Sequence, residues 1–386
     1  MTITEVKTHL IHVAIPEASR VESGAGLKLA RQMCLIELKT DEGISGYGSP
    51  SGPFDLPLLR RIVELFTRHL LGADPSHVAH LWHCIYHGEV SRNLGNRGIG
   101  VAALSGVDVA LWDLRARALG VPLFELLGGR YHTGGVRTYA SSIYWDLSPG
   151  QAAEEALRYV EKGFTAIKLK VGKEPRQDIE RLKAIRKSVA SGVEVLVDAN
   201  QSLSRSEALG LLPALEDLGV YWFEEPISVD DIEGHRMLCQ ARRRVRIATG
   251  ENLYTRYAFS DFIRQGAIDV LQADVSRTGG FTEVRGIVEA AAVSHLDWNP
   301  HTFNDVLTTV ANLHLVAASP HPAMFEWDVT HNELMTKLIK QPLKVRNGQV
   351  APPADPGLGV EIDWDFVASH PWSGEVSIGL GYGMRR

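Results

Sequence analysis

Cysteine is scarce in this 386-residue sequence, and the three cysteines, Cys34, Cys84 and Cys239, lie far apart. The absence of a Cys-x-x-Cys pair argues against a zinc ribbon, and three scattered thiols argue against the disulfide framework of a small secreted domain. The first residues have the pattern of a strand and not the charged, then apolar, layout of a signal peptide. We therefore expect a cytoplasmic protein.

The sequence also lacks a long apolar run and a large charge of either sign. No apolar stretch approaches the ~20 residues that cross a bilayer, so a membrane is not an expected partner. A formal net charge of −6 gives no reason to expect binding to nucleic acid. With 45% hydrophobic and 22% charged residues, the composition is that of an ordinary globular protein. Small acidic ligands remain compatible with the net negative charge, because local lysines and a metal ion can attract an anion more strongly than a mild overall charge repels it.

A repeat occupies the middle of the chain. Between residues 131 and 340, strand-like apolar segments recur about every 23 to 30 residues, which is the length of one strand, one loop and one helix. The predicted strands are residues 136–140, 166–171, 194–197, 221–223, 246–249, 270–272, 296–298 and 323–325. This repeat predicts a TIM-like α/β barrel, whose active site lies at the carboxyl ends of its strands.

Residues 1–130 and 341–386 do not follow this period. The first region mixes strand and helix patterns and predicts an α+β domain before the barrel, with a polar, glycine-containing loop at residues 16–28. The last region has a turn that leads into a strand, and we expect it to pack back on the first domain. The strands and helices predicted for the first region are residues 3–15, 32–40, 56–71 and 100–119.

A carboxylate stands at the end of three consecutive predicted strands: Asp198, Glu224 and Glu251. We expect the three side chains to converge at the barrel mouth. They offer only oxygen ligands, which favours Mg²⁺ or Mn²⁺ over zinc. A bound divalent ion would also relieve the repulsion between them. Taken singly, each acid could instead cap the helix that follows it.

Lys168 and Lys170 are two residues apart on one predicted strand, so both side chains point to the same side. If that side is the barrel lumen, we expect desolvation, the neighbouring ammonium and a nearby cation to lower the lysine pKa, so that a lysine can accept a proton. The alternative is an outer-face pair that binds helix carboxylates. Schiff-base chemistry is a further option for a barrel lysine, but the adjoining acids disfavour it.

Asp274 and His301 end consecutive predicted strands, so they can touch. An aspartate that orients an imidazole makes it a better acid–base group than histidine alone. A lone histidine is more often structural, but the aspartate at the neighbouring strand end favours a catalytic dyad.

Gly279 and Gly280 open a predicted barrel helix. Backbone N–H groups at such a helix start can bind an anion. Tight packing explains the two glycines equally well.

Several motifs together resemble the mandelate racemase/muconate lactonizing enzyme family of the enolase superfamily across nearly the whole chain. They are Lys168-x-Lys170, Asp198-x-Asn200, Glu224-Glu225-Pro226, Gly250-Glu251-Asn252, Asp274 with Gly279-Gly280, His301 and Glu326. The resemblance implies a (β/α)7β barrel with an α+β capping domain formed by the N-terminal region and the C-terminal tail. Muconate-type enzymes carry lysine where this chain has Asp274, so it is most similar to the mandelate racemase subgroup.

The resemblance also implies roles for these residues. The ligands of one Mg²⁺ would be Asp198, Glu224 and Glu251. Lys170 would be one base, and the Asp274–His301 dyad would be the base on the opposite face. Lys168 would help hold an enediolate intermediate. Glu326 would hydrogen-bond the substrate carboxylate, and Asn200 would support the metal site beside the substrate.

The tail around Glu326 looks most like that of sugar-acid dehydratases and sugar-lactone cycloisomerases of this subgroup. We therefore expect abstraction of the proton alpha to a carboxylate, followed by dehydration of an aldonate or aldarate to a 2-keto-3-deoxy acid. Racemisation, epimerisation or lactone cycloisomerisation could use the same bases. A metal-binding barrel without catalysis is the alternative from a different class.

Substrate contacts are expected from the capping loops at residues 16–28 and 48–54, which would close over the barrel mouth. Arg20, Glu22 and Lys28 could meet hydroxyl groups or a distal carboxylate. Tyr144 and Trp145, after the first barrel strand, could stack on a sugar face or simply pack. The expected partner is a small carboxylate, and we expect a homo-oligomer.

Overall fold

The computed structural model describes residues 1–320, 324–374 and 377–378. The strands are β1 (Ile3–Ala14), β2 (Glu22–Ser23), β3 (Gly26–Leu27), β4 (Ala30–Thr40), β5 (Ser45–Gly48), β6 (Val136–Ile143), β7 (Ala166–Lys170), β8 (Glu194–Asp198), β9 (Val220–Glu224), β10 (Arg246–Thr249), β11 (Val270–Leu271), β12 (Asp297–Trp298), β13 (Phe325–Asp328) and β14 (Gln349–Val350). The helices are α1 (Leu56–Leu70), α2 (Val78–Tyr86), α3 (Glu89–Asn93), α4 (Ile99–Leu119), α5 (Leu123–Leu126), α6 (Pro149–Glu161), α7 (Pro175–Ser188), α8 (Arg205–Asp217), α9 (Ile232–Ala241), α10 (Thr255–Arg264), α11 (Gly280–Val293), α12 (Val306–Ala317), α13 (Glu333–Thr336) and α14 (Trp364–Ser369).

Strands β6 to β13 are parallel neighbours in the order β12-β11-β10-β9-β8-β7-β6-β13, and β14 adds an antiparallel partner to β6. In the described part of the chain no backbone ladder joins β12 to β13. There the Met324 N–H donates to the side-chain oxygen of Asn299 at 2.5 Å. The predicted barrel is therefore confirmed. Of the predicted strand 323–325, Ala323 lies outside the described residues, and β13 begins at Phe325.

Four of the seven helices that join consecutive barrel strands, α6, α8, α9 and α12, begin at side-chain caps. Ser148 before α6 and Ser204 before α8 each form a reciprocal capping box, with Gln151 and Glu207 respectively. Such caps satisfy backbone N–H groups that have no partner within the helix. These helix starts are thus fixed a few residues after a strand end. Because the barrel strands are parallel, their carboxyl ends lie together at one mouth of the barrel.

The N-terminal region forms an antiparallel sheet in the order β1-β4-β5, with α1 and α4 packed against it. Strand β5 lies so close to α4 that only glycine fits: a Cβ added to Gly46 or Gly48 would lie 2.3 Å from the Ala110 oxygen or 2.1 Å from the Gly106 oxygen. The predicted loop at residues 16–28 contains a short 3₁₀ turn and the ribbon β2–β3. Helices α2 and α3 were not predicted.

The C-terminal segment packs on the N-terminal region. The Leu358 N–H donates to Asp113 at 2.6 Å, and the Trp372 N–H donates to the Leu10 oxygen at 3.0 Å. The Leu29 N–H donates to the Ser377 oxygen at 2.9 Å. The capping domain is therefore built from both ends of the chain. None of the helices in the described ranges combines the length and apolarity needed to cross a membrane.

A buried histidine joins the barrel to both parts of the capping domain. Nδ1 of His314, on α12, accepts a hydrogen bond from the Phe124 N–H at 3.2 Å. Its Nε2 lies 3.1 Å from the Leu358 oxygen and donates to it. Only the neutral ring can make both bonds, and burial lowers the pKa of His314 to about 4.

This histidine predicts a loss of stability in mild acid. An unfolded His314 takes up a proton as the pH falls below the ordinary pKa of 6.5, but the folded one stays neutral until about pH 4. Its contribution to the free energy of unfolding should be complete above pH 6.5 and fall by about 3 kcal/mol by pH 4. Urea unfolding of the wild type and of His314→Gln across this range measures the effect. Equal pH slopes for the two proteins would contradict it.

Candidate active site

Three acidic side chains meet at the carboxyl ends of β8, β9 and β10. Asp198 and Glu224 are the last residues of β8 and β9 and face each other in the parallel ladder. Glu251 follows Gly250, where φ is 147° and an added Cβ would lie 2.7 Å from the Gln272 nitrogen, so only glycine fits there. One oxygen from each carboxylate lies within 4.8 Å of the others, and all three side chains are buried.

The charges at this triad are only partly balanced by the protein. Burial and the neighbouring Asp198 raise the pKa of Glu224 to about 8. Burial also acts to raise the pKa of Asp198, but Lys170 and Lys168 outweigh it and the value is lowered. A divalent cation would remove the remaining repulsion, and oxygen atoms are the ligands that Mg²⁺ and Mn²⁺ prefer. The triad therefore has the donor set and the charge to hold such an ion.

Both lysines of β7 point into the barrel and not toward the outer helices. Lys168 Nζ lies 2.8 Å from Glu224 Oε1 and 2.7 Å from Glu326 Oε1. Lys170 Nζ contacts Asp198 and donates to the side-chain oxygen of Asn200 at 3.0 Å. The two ammonium groups therefore lie directly beside the triad.

The prediction of lowered lysine pKa values included a cation beside the lysines; with the protein groups alone, both values are raised. Burial does act to lower the pKa of Lys168, but Glu224 and Glu326 outweigh it and the value is raised well above the ordinary one. The pKa of Lys170 is raised in the same way, because Asp198 outweighs burial and the repulsion from Lys168. The nearest charges are carboxylates, and their attraction exceeds the cost of desolvation.

Asp274 and His301 form the expected pair. His301 Nδ1 lies 3.0 Å from Asp274 Oδ2, and its Nε2 lies 3.4 Å from Glu251 Oε2. The other oxygen of Asp274 accepts from the Ser276 N–H at 2.8 Å and from Asn312 at 2.7 Å, so the carboxylate is fixed. Burial acts to lower the pKa of His301, but Glu251 and Asp274 outweigh it and the pKa is raised.

The two candidate bases approach the triad from different sides. Lys170 ends the second barrel strand and contacts Asp198, whereas His301 follows the seventh strand and lies beside Glu251. A substrate held at the triad would lie between the two groups.

Asn200 and Glu326 complete the floor of the site. Asn200 adopts a left-handed backbone (φ 42°), and its N–H donates to Asp198 at 2.8 Å. The second oxygen of Glu326 accepts from the Thr302 N–H at 3.0 Å. Burial acts to raise the pKa of Glu326, but Lys168 and His301 outweigh it and lower the pKa to about 2. Glu326 is therefore a carboxylate that fixes Lys168.

The helix start at Gly279 and Gly280 receives an anion from the protein itself. The Asp108 carboxylate, on α4, accepts from the Thr282 N–H at 3.1 Å and from its hydroxyl at 2.5 Å. A Cβ on Gly280 would lie 2.1 Å from the Asp108 oxygen, so the helix start is also tightly packed. Both explanations that the sequence analysis gave for the two glycines, a nearby acidic group and tight packing, therefore apply. Burial raises the pKa of Asp108 to about 7. The contact ties the capping domain to the loop that follows Asp274.

A cavity of about 300 Å³ lies over the triad and is bounded by both domains. Seven of the predicted site residues line it: Lys168, Lys170, Asn200, Glu251, His301, Glu326 and Tyr144. From the two predicted capping loops and the adjacent strand come Ser23, Ala25, Lys28, Arg31, Gly52 and Pro53.

The predicted substrate contacts differ in their position relative to the cavity. Arg20 is exposed, its guanidinium donates to the Ile15 oxygen, and it does not line the cavity. The prediction that Arg20 contacts the substrate is therefore corrected. Glu22 pairs with Lys173 at 2.7 Å outside the cavity. Tyr144 does line the cavity, and its buried hydroxyl has no hydrogen-bond partner among the described residues.

Several cavity residues received no role in the sequence analysis. Arg277 and Asn252 lie in the wall, joined by a hydrogen bond of 2.5 Å, and Phe303 lies under Lys28. Asn252 directly follows Glu251, and Arg277 lies three residues after Asp274; that proximity was the available signal. Nothing in the local sequence of Phe303 distinguishes it from a packing residue.

The chain matches two family models. Residues 7–128 match the model described as the N-terminal domain of mandelate racemase and muconate lactonizing enzyme. Residues 151–366 match the model described as enolase C-terminal domain-like.

Two relatives are similar over most of their length. The arabinonate dehydratase of Saccharolobus solfataricus is 36% identical, with 86% of this chain and 88% of the relative covered. The D-galactarolactone cycloisomerase of Agrobacterium fabrum is 32% identical, with 95% and 97% covered.

Solved structures from Bordetella bronchiseptica RB50 are more similar still. One is 62% identical with a TM-score of 0.98, and covers 100% of this chain and 98% of its own. Another, complexed with 2-oxoglutarate/phosphate, is 60% identical with a TM-score of 0.92, and the shares covered are 97% and 99%. A racemase from Streptomyces coelicolor A3(2) with bound magnesium is 27% identical with a TM-score of 0.87, and the shares are 96% and 100%.

Proposed function

Because the chain belongs to the mandelate racemase and muconate lactonizing enzyme family of the enolase superfamily, we propose that it dehydrates a sugar acid to a 2-keto-3-deoxy acid. One observation carries the proposal: Lys170 and His301 approach the Asp198, Glu224 and Glu251 carboxylates from two sides of one cavity. A site that only bound a metal would need no such pair of proton-transfer groups beside it.

The triad would hold the divalent ion, Mg²⁺ or Mn²⁺. When bound, the ion supplies Lewis-acid stabilisation of the negative charge that develops on the substrate carboxylate. Lys168, fixed by Glu326 at 2.7 Å, adds a preorganised positive charge on the same side.

The two bases divide the proton transfers. Asp198 and Glu251 raise the pKa values of Lys170 and His301 respectively. Their charge would be taken up by a divalent ion at the triad, and this would favour the neutral form of each base. Lys170 Nζ or His301 Nε2, according to the configuration of the substrate, then removes the proton on the carbon next to the carboxylate. His301 then gives a proton to the β-hydroxyl group, which leaves as water, and the resulting enol tautomerises to the 2-keto acid. Asp274 holds Nδ1 of His301 at 3.0 Å and so leaves Nε2 directed to the substrate.

The cavity fits a small polar substrate. Its volume of about 300 Å³ is at the lower end for ligand sites, which suits one open-chain sugar acid. The similarity to an arabinonate dehydratase supports this class. The similarity to a protein complexed with 2-oxoglutarate supports a carboxylate ligand.

A second candidate reaction is cycloisomerisation of a sugar lactone, which the similarity to the D-galactarolactone cycloisomerase favours. The same base would remove the proton alpha to the carboxylate. The ring oxygen of the lactone, in place of a hydroxyl group, would then leave the β-carbon, and no water would be released.

A substrate screen distinguishes these reactions. The Mg²⁺-loaded protein is incubated with aldonic acids, aldaric acids and their lactones, and 2-keto acid is detected with semicarbazide. We expect at least one open-chain acid to be dehydrated with a kcat/KM of about 10⁴ M⁻¹ s⁻¹ or higher. Lactone opening without a need for an open-chain acid would favour the cycloisomerase. Deuterium exchange in D₂O without 2-keto acid would indicate a racemase, and no exchange with any acid would contradict all three.

A further inference from the structure

Two cations in the cavity wall, Lys28 and Arg277, have no anionic partner among the described residues, and Lys28 is the one on the capping domain. Lys28 follows β3, and its Nζ lies 4.3 Å from the centre of the Phe303 ring. Within residues 1–320, 324–374 and 377–378, no carboxylate lies at ion-pair distance from this ammonium group. Arg31, which covers the same ring at 4.6 Å, differs because it pairs with Asp328 at 2.9 Å.

The Lys28 backbone is hydrogen-bonded to chain segments on both of its sides, so the position from which its side chain extends is fixed. The Lys28 N–H donates to the Val21 oxygen at 2.9 Å, across the ribbon β2–β3. Lys28 also forms a bridge with Ile378, and the next residue, Leu29, bonds to Ser377 at 2.9 Å. Lys28 thus lies on a fixed part of the capping domain, over the barrel mouth.

The other cationic side chains of the cavity wall have partners within the protein. Lys168 and Lys170 are paired with carboxylates of the floor. Arg277, 8% exposed, donates to Asn252 at 2.5 Å but likewise has no carboxylate partner among the described residues. Among the described residues, Lys28 on the capping side and Arg277 on the barrel side of the cavity therefore lack a carboxylate partner.

An unpaired, partly desolvated ammonium group costs free energy unless an anion joins it. Burial and the neighbouring Arg31 lower the pKa of Lys28 to about 7. A ligand carboxylate at this position would supply the missing charge and restore the ammonium form. The cation–π contact with Phe303 orients the group but does not replace an anion.

We propose that the substrate carries a second carboxylate at the end opposite the reacting one, and that Lys28 binds it. The substrates would then be aldaric acids and not aldonic acids. This inference rests on the proposed function, because the triad and Lys168 hold the reacting carboxylate and so leave the far end of the molecule toward the capping domain.

Binding of matched acids tests the inference without turnover. Calorimetry with the Mg²⁺-loaded protein compares galactarate with galactonate, and glucarate with gluconate. We expect at least one aldarate to bind about 10- to 100-fold more tightly than its aldonate, the range for one charge-assisted contact. Lys28→Met should weaken aldarate binding much more than aldonate binding and so remove this preference, whereas Lys28→Arg should retain most of it.

The control is Lys183→Met, which makes the same chemical change on α7 at an exposed lysine paired with Glu180. It should leave both affinities unchanged, and thermal unfolding should show that every variant folds. Equal affinity of aldarates and aldonates for the wild type, or equal loss of both in Lys28→Met, would overturn the inference. A preference that depends on Lys28, found with no dehydration of any acid, would instead overturn only the proposed reaction.

Discussion

Replacement of Glu224 by glutamine is expected to abolish tight binding of a divalent ion and to lower kcat by about three orders of magnitude. Glu224 is fully buried between Asp198 and Lys168, so a neutral amide there removes one of three anionic ligands without a change of shape. The Lewis-acid contribution to the reaction would be lost together with the ion. Isothermal titration of the metal-free protein with Mg²⁺, and turnover of the substrate found in the screen, measure the two effects.

Glu225→Gln is the matched control for this experiment. Glu225 is the next residue in the chain and equally buried, but its carboxyl group bonds to Gln201 at 3.2 Å and to Asn252 at 2.9 Å and does not belong to the triad. Burial, followed by Glu251, raises its pKa well above the ordinary value. The Glu225→Gln change keeps the size of the side chain and makes the same chemical change as Glu224→Gln. Mg²⁺ binding should survive in this variant. If both variants bind Mg²⁺ as the wild type does, the triad is not the metal site.

The barrel could be predicted from the sequence because its signal is repeated. Eight strand patterns at one spacing compensate for errors at any single strand, such as the end of the first strand, which the structure extends to Ile143. Helix α2 was missed although Val78, Leu81, Trp82 and Ile85 bury one face at helical spacing. No side-chain cap marks its start at His77, so the sequence offers no boundary signal there, unlike at the starts of α6 and α8.

The acids of the site were placed by the same regularity. Lys170, Asp198 and Glu224 are partners in the register of three adjacent strands, so their proximity follows once the strands are aligned. The direction of the lysine pKa shifts could not follow from that alignment. It depends on which carboxylate atoms lie nearest to each ammonium group, and those distances are set by side-chain packing.

The side chains of the capping loop that reach the cavity could not be predicted from the sequence. Arg20 and Lys28 lie in the same polar segment, and nothing in their types decides which reaches the cavity. The structure decides it through contacts distant in sequence: Lys28 is bridged to Ile378, whereas Arg20 bonds locally to Ile15. Loop conformations that depend on such contacts are not encoded in a local pattern.

Lys170→Ala and His301→Asn are expected to lower the rate of 2-keto acid formation by about 10³- to 10⁴-fold each, but with different effects on proton exchange. The variant that lacks the base for the α-proton should lose both dehydration and deuterium incorporation in D₂O. The variant that lacks only the acid for the departing hydroxyl should still exchange the α-proton. Proton NMR of the substrate in D₂O measures exchange, and semicarbazide detection measures dehydration.

The Asp274→Asn variant keeps the imidazole of His301 but changes the group that orients it, and so tests the effect of that orientation on the reaction. An asparagine at this position removes the negative charge that lies 3.0 Å from His301 Nδ1, and its amide group can hold the ring in the other tautomer, so we expect a loss of activity similar in kind to that of His301→Asn but smaller. If Lys170→Ala and His301→Asn both retain a tenth or more of wild-type turnover, neither side chain transfers a proton in the reaction. If only His301→Asn is impaired, both proton transfers occur on one face of the substrate, and Lys170 serves to hold Asp198 and Asn200 in place.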